Sequence, residues 1–375
     1  MLRADPDTDA VQALGELAML EAFTGSPAAE ELSAEALALG QALTVDDAIL
    51  ADLFTTRGIC HDFVGRRLQA ASYFREAARL ATLAGDTLRL GRALLNLSDT
   101  VTATDPAAGV QAARAATAHL RQAGDRDHLK FAVANLAQAL MMTGDWDTAE
   151  AELAQAADAD GLADMELLAC YRALVTAVRG DISAAQVILA GLADLRASEA
   201  PQDRATLAGA EAFTAAARHQ PAAVLRHARA ALDHIGALGI SAEFVRWTWP
   251  LAARAAYDLA DTTATAKLLA LLDGYRPGQL APMLRAERDL ARTRLTAADT
   301  GSNPAAAFTA AITGLRQHST PYHLAHGLLD HAEYLVRRGD TEAAEAAIAE
   351  AHDIADRLRC QPLLDRAANL TPARP

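Results

Sequence analysis

A turn recurs along this sequence at a nearly constant step, and no other feature restricts its fold as much. The signals stand at Phe23-Thr-Gly-Ser-Pro27, Val64-Gly-Arg66, Thr104-Asp-Pro106, Thr143-Gly-Asp145, Arg179-Gly-Asp181, His219-Gln-Pro221, Ala260-Asp-Thr262, Gly301-Ser-Asn-Pro304 and Arg338-Gly-Asp340, about 36 to 41 residues apart. Self-similarity at such a period marks a repeat array, in which each unit buries its apolar face only against its neighbours.

The clearest copy runs from Met141 to Ala156. Leu136 and Leu140 before the turn, and Trp146, Ala149, Leu153 and Ala156 after it, keep the 3 to 4 residue step of amphipathic helices. Gly144 suits the left-handed position that closes the first helix, and Asp145 suits the cap of the second. Trp146 is expected to wedge between the two as a structural residue.

Small and apolar residues follow other turns at the same spacing: Ala70, Phe74, Ala77; Ala185, Leu189, Leu192; Ala344, Ile348, Ala351. Small residues let helices approach and larger ones fill the space between them. No segment alternates as a strand does. The expected fold is all-α, a right-handed α-α superhelix of about nine helical hairpins from residue 7 to about 358. Residues 1–375 read as one array, with an N-terminal hairpin over 1–43, further repeats over 44–358, and a C-terminal cap and tail over 359–375. Ala10, Leu14, Leu17 and Leu20 share one face of the first helix with no polar helix ahead of them, so the array is expected to continue upstream in a longer parent protein.

These residues carry a resemblance to tetratricopeptide repeats, which place a glycine at the turn and alanines in the second helix. The match is strongest over 130–156 and 326–351, good over 52–77 and 172–192, and loose over 205–232 and 280–318. A period near 40 rather than 34 is similar to the longer repeats of bacterial signalling ATPases of the MalT type. Asn96-Leu-Ser98, Asn135-Leu-Ala-Gln-Ala-Leu140, Trp249-Pro-Leu-Ala-Ala-Arg-Ala-Ala256, Thr320-Pro-Tyr-His-Leu-Ala325 and Leu363-Leu-Asp-Arg366 extend the likeness. They resemble the tail of actinobacterial regulators that join an adenylate or guanylate cyclase, or a LuxR-type DNA-binding domain, to a STAND ATPase. The resemblance implies a sensor or regulatory tail, with an ATPase or cyclase module encoded upstream as a partner.

Chemistry of other kinds finds little support. Neither lysine, Lys130 or Lys267, follows a glycine as a phosphate-binding loop requires. No strand pattern exists to mount the acidic metal ligands of a cyclase. Glu150 and Glu152 read as solvation of an exposed helix. A net charge of −14 disfavours nucleic acid, whose phosphates need a basic surface. Cys60, Cys170 and Cys360 share no metal-ligand spacing and read as reduced thiols. Without a signal peptide or an apolar run of membrane length, the chain reads as cytoplasmic. No enzyme activity, cofactor or metal is expected.

Binding is the remaining function, and the first helix of each pair lines the concave side of such arrays. By register with Gly144, Arg92, Asn96, Asp99, Asn135 and Gln138 form the polar part of the candidate surface. Met141 and Met142, with Phe63, Leu174 and Val178, make it partly apolar, suited to an amphipathic helix or extended peptide, unless longer helices bury these residues within the array, which is the leading reading. Trp247 and Trp249 lie two apart and point to different faces, which makes at least one a candidate groove aromatic, although packing in the core is the leading expectation for both; Pro250 is expected in a first helical turn. His323, His326 and His331 read as surface and inter-helix contacts. The expected function is a non-catalytic scaffold for a protein or peptide segment. The alternatives are a small-molecule or peptide-pheromone receptor and a self-association module forming a homo-oligomer.

Overall fold

The computed structural model describes residues 6–162, 165–297 and 304–370. Helices pair in chain order: α1 (Thr8–Phe23) with α2 (Ala28–Ala42), α3 (Asp47–Phe63) with α4 (Arg67–Leu83), α5 (Thr87–Thr102) with α6 (Pro106–Ala123), and α7 (Arg126–Thr143) with α8 (Trp146–Asp158). α9 (Glu166–Arg179) pairs with α10 (Ile182–Ala190), and the short α11 (Ala193–Ala197) leads to α12 (Pro201–Ala217) and α13 (Pro221–Leu232). After the one-turn α14 (Ile235–Leu238) come α15 (Glu243–Asp258) with α16 (Thr262–Asp273), and α17 (Pro282–Ala297) with α18 (Ala305–His318). α19 (Pro321–Arg338) pairs with α20 (Thr341–Arg357), and α21 (Gln361–Leu370) follows as a single short helix. Among the described residues there is no strand.

Eight of the nine turn signals fall between the members of a helical pair. The ninth, Gly301-Ser-Asn-Pro304, lies outside the described residues except for Pro304, which caps α18. Local chemistry explains the regularity. Asp7, Asp46, Asp86, Asp105, Asp181, Asp261 and Asp340 each accept a backbone N–H from the third residue beyond them, which satisfies a donor that the helix itself cannot. Asp145 does the same for α8 through Thr148. Gly144 takes φ +86°, a left-handed conformation that ends α7 without a Cβ penalty.

The residues fall into two compact units. One comprises Met1–Ala139, Glu152–Met165 and Ile235–Ser241; the other comprises Leu140–Ala151, Glu166–His234 and Ala242–Pro375. In the first unit Val11, Leu14, Ala36 and Leu53 form a buried cluster between α1, α2 and α3. In the second, Cys170, Ala173, Leu189, Leu192, Leu195, Leu207 and Ala210 join α9, α10, α11 and α12. Ala344, Ile348 and Ala351 are buried on α20 at the predicted spacing.

Ala10 and Leu14 are buried while Leu17 and Leu20 are 40% and 61% exposed, because the helices packed on α1 cover only its other side. One expectation changes. Pro250 stands in the interior of α15 rather than in its first turn. The helix starts seven residues earlier than that position required, at Glu243, and it tolerates the missing N–H of the proline.

The second unit closes on itself. Arg179, ending α9, donates to the carbonyl oxygen of Leu358 and pairs with Asp147, which Arg359 of the α20–α21 turn also meets. Beside them the rings of Trp146 and Tyr322 stand 5.7 Å apart. The last helices of this unit therefore pack against its first.

Candidate partner-binding site

In the first unit the register places Arg92, Asn96 and Asp99 on one face of α5, at steps of four and three, and all three keep part of their surface in water. Each is oriented by a neighbour. Arg92 donates to Asp125 at 3.2 Å, the aspartate whose other oxygen accepts the backbone N–H of His128 to start α7. Asn96 donates to the Arg92 carbonyl one turn back at 2.9 Å. The Asp99 carboxylate lies 3.8 Å from Arg67, which also donates to the Asp99 carbonyl oxygen.

Asn135 and Gln138 on α7 do not extend this strip. Asn135 is turned toward α5, donating to the Leu95 carbonyl at 3.2 Å and to Ser98 Oγ at 3.1 Å. That bond braces two neighbouring hairpins. Gln138 is 1% exposed, and its amide has no hydrogen-bond partner among the described residues.

Of the apolar candidates, Phe63 is in the first unit and half-buried, while Met141, Met142, Leu174 and Val178 belong to the second unit and are enclosed. Met141 and Met142 are buried, and the Met141 carbonyl oxygen accepts the indole N–H of Trp146. Trp247 and Trp249 are both buried, as packing in the core requires, and neither is a groove aromatic. α15 is covered on all sides from Val245 to Ala256, so positions two apart both meet protein. Trp249 donates to the Leu268 carbonyl at 3.0 Å, while Trp247 stands edge-on to Phe213 and 5.4 Å from His323. With Tyr322 touching both Phe213 and Trp146, these rings form a continuous aromatic cluster across α8, α12, α15 and α19.

Beside that cluster runs a ladder of charges that reading the sequence did not find. Arg254 of α15 reaches Glu287 of α17 at 3.0 Å, and its Nε lies 3.7 Å from Asp330 of α19. Arg294 of α17 is 3.2 Å from Asp330 and lies over the Tyr257 ring at 3.9 Å. Arg366 of α21 contacts Asp330 and Glu333, each at 2.6 Å. One signal could have exposed it: arginine and carboxylate trade places at steps of 33 and 36 residues along the leading helices, as in Arg254/Glu287 and Asp330/Arg366.

Burial sets the electrostatics here. It pushes the Asp330 carboxyl up, but Arg294, Arg366 and Arg254 together outweigh it and hold the group below its ordinary value. Glu287 has fewer cations around it, and burial keeps its carboxyl raised. His323 and His326 are held well below the usual imidazole range by burial and by the Arg254 charge, so both are neutral near pH 7. The sequence placed these histidines at surface and inter-helix contacts; the inter-helix half describes them, since His326 Nδ1 lies 3.2 Å from Arg366 and His323 is fully buried. His331 stacks on Phe308.

Arg254, Tyr257, Glu287, Arg294 and Asp330 border a cavity of about 10 Å³. Such a space admits about one water molecule. Among the described residues no three His, Cys, Asp or Glu side chains gather as a metal site, and no helix is long and apolar enough to cross a membrane. The thiols of Cys170 and Cys360 are pushed up to about 12 by burial, which removes them from nucleophilic work.

The chain matches no family model and no curated protein. Among solved structures it is similar to the human IFIT1 dimer with m7Gppp-AAAA, at 14% identity and a TM-score of 0.53 over 99% of this chain and 84% of that one. The same dimer with PPP-AAAA aligns at a TM-score of 0.52, 14% identity, and 97% and 84% coverage. The apo form of RapI aligns more loosely, at 9% identity and a TM-score of 0.41 over 96% and 89% of the two chains. The fold is that of a tetratricopeptide-like all-α helical repeat protein.

Proposed function

We propose that this chain is a non-catalytic scaffold that binds a protein or peptide segment, serving as the sensor or regulatory tail of a bacterial signalling regulator. One observation carries the reading. Arg92, Asn96 and Asp99 form an ordered, part-exposed polar strip along one helix, each side chain fixed by a neighbour and none set beside a nucleophile and base. Pre-oriented groups of that kind recognise a partner at low entropic cost. The net charge of −14 favours a protein segment over a nucleic acid. A cytoplasmic setting and an upstream ATPase or cyclase module fit the same reading.

A peptide array probed with the whole chain tests it. Arg92→Ala with Asn96→Ala is expected to abolish capture of the segments that bind, with the helical circular-dichroism spectrum retained to show that the fold is kept. Hydrolysis of ATP or synthesis of cyclic nucleotide by the purified chain would overturn the reading, as would an array on which nothing binds.

A second reading, self-association, is favoured by Leu17, Leu20 and Phe23 on α1, which are 40%, 61% and 65% exposed. Sedimentation tests it: mass that does not change with concentration counts against a homo-oligomer. For the small-molecule receptor, the cavity beside the charge ladder offers space for little beyond water.

A further inference from the structure

We propose that the seat of α21 is an exchangeable docking site for a partner's amphipathic helix with a Leu-x-x-Arg-Ala pattern, and that α21 is its occupant in cis. The inference rests on the scaffold reading but uses a different surface from the α5 strip.

Three side chains hold α21. Leu363 and Ala367 are fully buried, one turn apart on the same face, and Arg366 enters a polar slot between them. Its guanidinium meets Asp330, Glu333 and the Nδ1 of His326. Gln361, Asp365, Ala368 and Asn369 are exposed. Pro362, Leu364 and Leu370 are half-buried at the margins of the buried face, so the seat reads chiefly this face. Nη2 of the guanidinium meets both carboxylates while Nη1 faces His326 Nδ1, a spread of contacts over two nitrogens that a single ammonium does not reproduce, so the slot favours arginine.

Charge accounting shows why the occupant can leave. Removing one partner of a buried ion pair is normally prohibitive because it strands the other charge. Here Asp330 keeps Arg294 at 3.2 Å and Arg254 at 3.7 Å, and Glu287 keeps Arg254 at 3.0 Å. Two arginines still face two buried carboxylates once Arg366 is gone. Glu333, with 32% of its side chain already exposed, turns to water. The root of the helix stays in place, because Arg179 holds the Leu358 carbonyl and Arg359 meets Asp147. α21 can therefore leave from a fixed turn while the ladder behind it remains paired.

Two measurements on the full chain test this independently. Hydrogen exchange is expected to show α21 amides opening locally, at least about a hundredfold faster than the core amides of α19. Equal protection of α21 and α19 overturns the proposal. In anisotropy titrations, a fluorescein-labelled peptide of residues 361–370 is expected to bind the Arg366→Glu chain at least about tenfold more tightly than wild type, where the tethered helix competes at high effective concentration. The same peptide carrying R366E should not bind. Equal affinity for the two chains overturns the proposal, and if the variant does not fold, the exchange measurement decides alone. A chain that captures array peptides through α5 yet keeps α21 locked refutes this inference and leaves the scaffold reading standing.

Discussion

The indole N–H of Trp146 donates to the carbonyl oxygen of Met141 at 3.0 Å, joining the first residue of α8 to the last turn of α7. The Met141 carbonyl also accepts the backbone N–H of Gly144 at 3.2 Å, so the indole is its second donor, and the ring fills the space beside Tyr322. Trp146→Ala should lower unfolding free energy by about 3–5 kcal/mol. Trp146→Phe, which keeps most of the ring and loses the donor, should cost about 1–2 kcal/mol. Urea denaturation of the two variants checks the ratio; equal losses would show that the hydrogen bond contributes nothing beyond area.

Gly180 has φ +98°, and a Cβ there would come within 2.7 Å of the Gln361 Cβ. Two penalties combine, a left-handed backbone and a clash with the start of α21. Gly180→Ala should cost about 1–3 kcal/mol in thermal or chemical denaturation. Gly339 takes φ +78° with open space around it, so Gly339→Asn should cost much less. A reversed order would mean that the contact between α9 and α21 is not maintained in solution.

Arg254 and Glu287 form a pair in which both side chains are at least nine-tenths buried. Arg254→Met leaves Glu287 and part of Asp330 without compensation and should cost about 3–5 kcal/mol. Joining it with Glu287→Leu should recover much of that loss, because the second change removes the stranded charge. A double-mutant cycle with no coupling would remove the ladder from the stability of the unit.

Acid should destabilise the second unit from about pH 6.5 downward. The folded pKa values of His323 and His326 lie well below the ordinary 6.5, so above that pH neither state binds the proton and the histidines contribute no slope. Below it the unfolded chain takes up protons that the folded chain refuses, and stability falls by up to about 1.4 kcal/mol per pH unit for each histidine until the folded pKa is reached. Asp330, held below its ordinary value, acts with the same sign at lower pH. Unfolding measured from pH 8 to 5 should show a clearly shallower slope in a His323→Asn, His326→Asn double variant, the remainder including His331, which burial also holds below its ordinary value. An unchanged slope would assign it to other groups.

The hairpins were legible in the sequence because they are local. A glycine that can turn left-handed, an aspartate three residues ahead of an unsatisfied N–H and a 3.6-residue apolar period act within one or two helical turns. Those rules place Gly144, Asp145 and Trp146 and the alanines that follow each turn. They also put Arg92, Asn96 and Asp99 on one face of α5. Which residues meet across hairpins was not legible. Trp247 and Trp249 are both buried because α13, α16 and α17 surround α15, and no periodicity within α15 reports its neighbours. Arg366 finds Asp330 across 36 residues, and Arg359 finds Asp147 across 212. Backbone preference decided the helices; only tertiary packing decided which charges lost their water, and therefore which had to be paired.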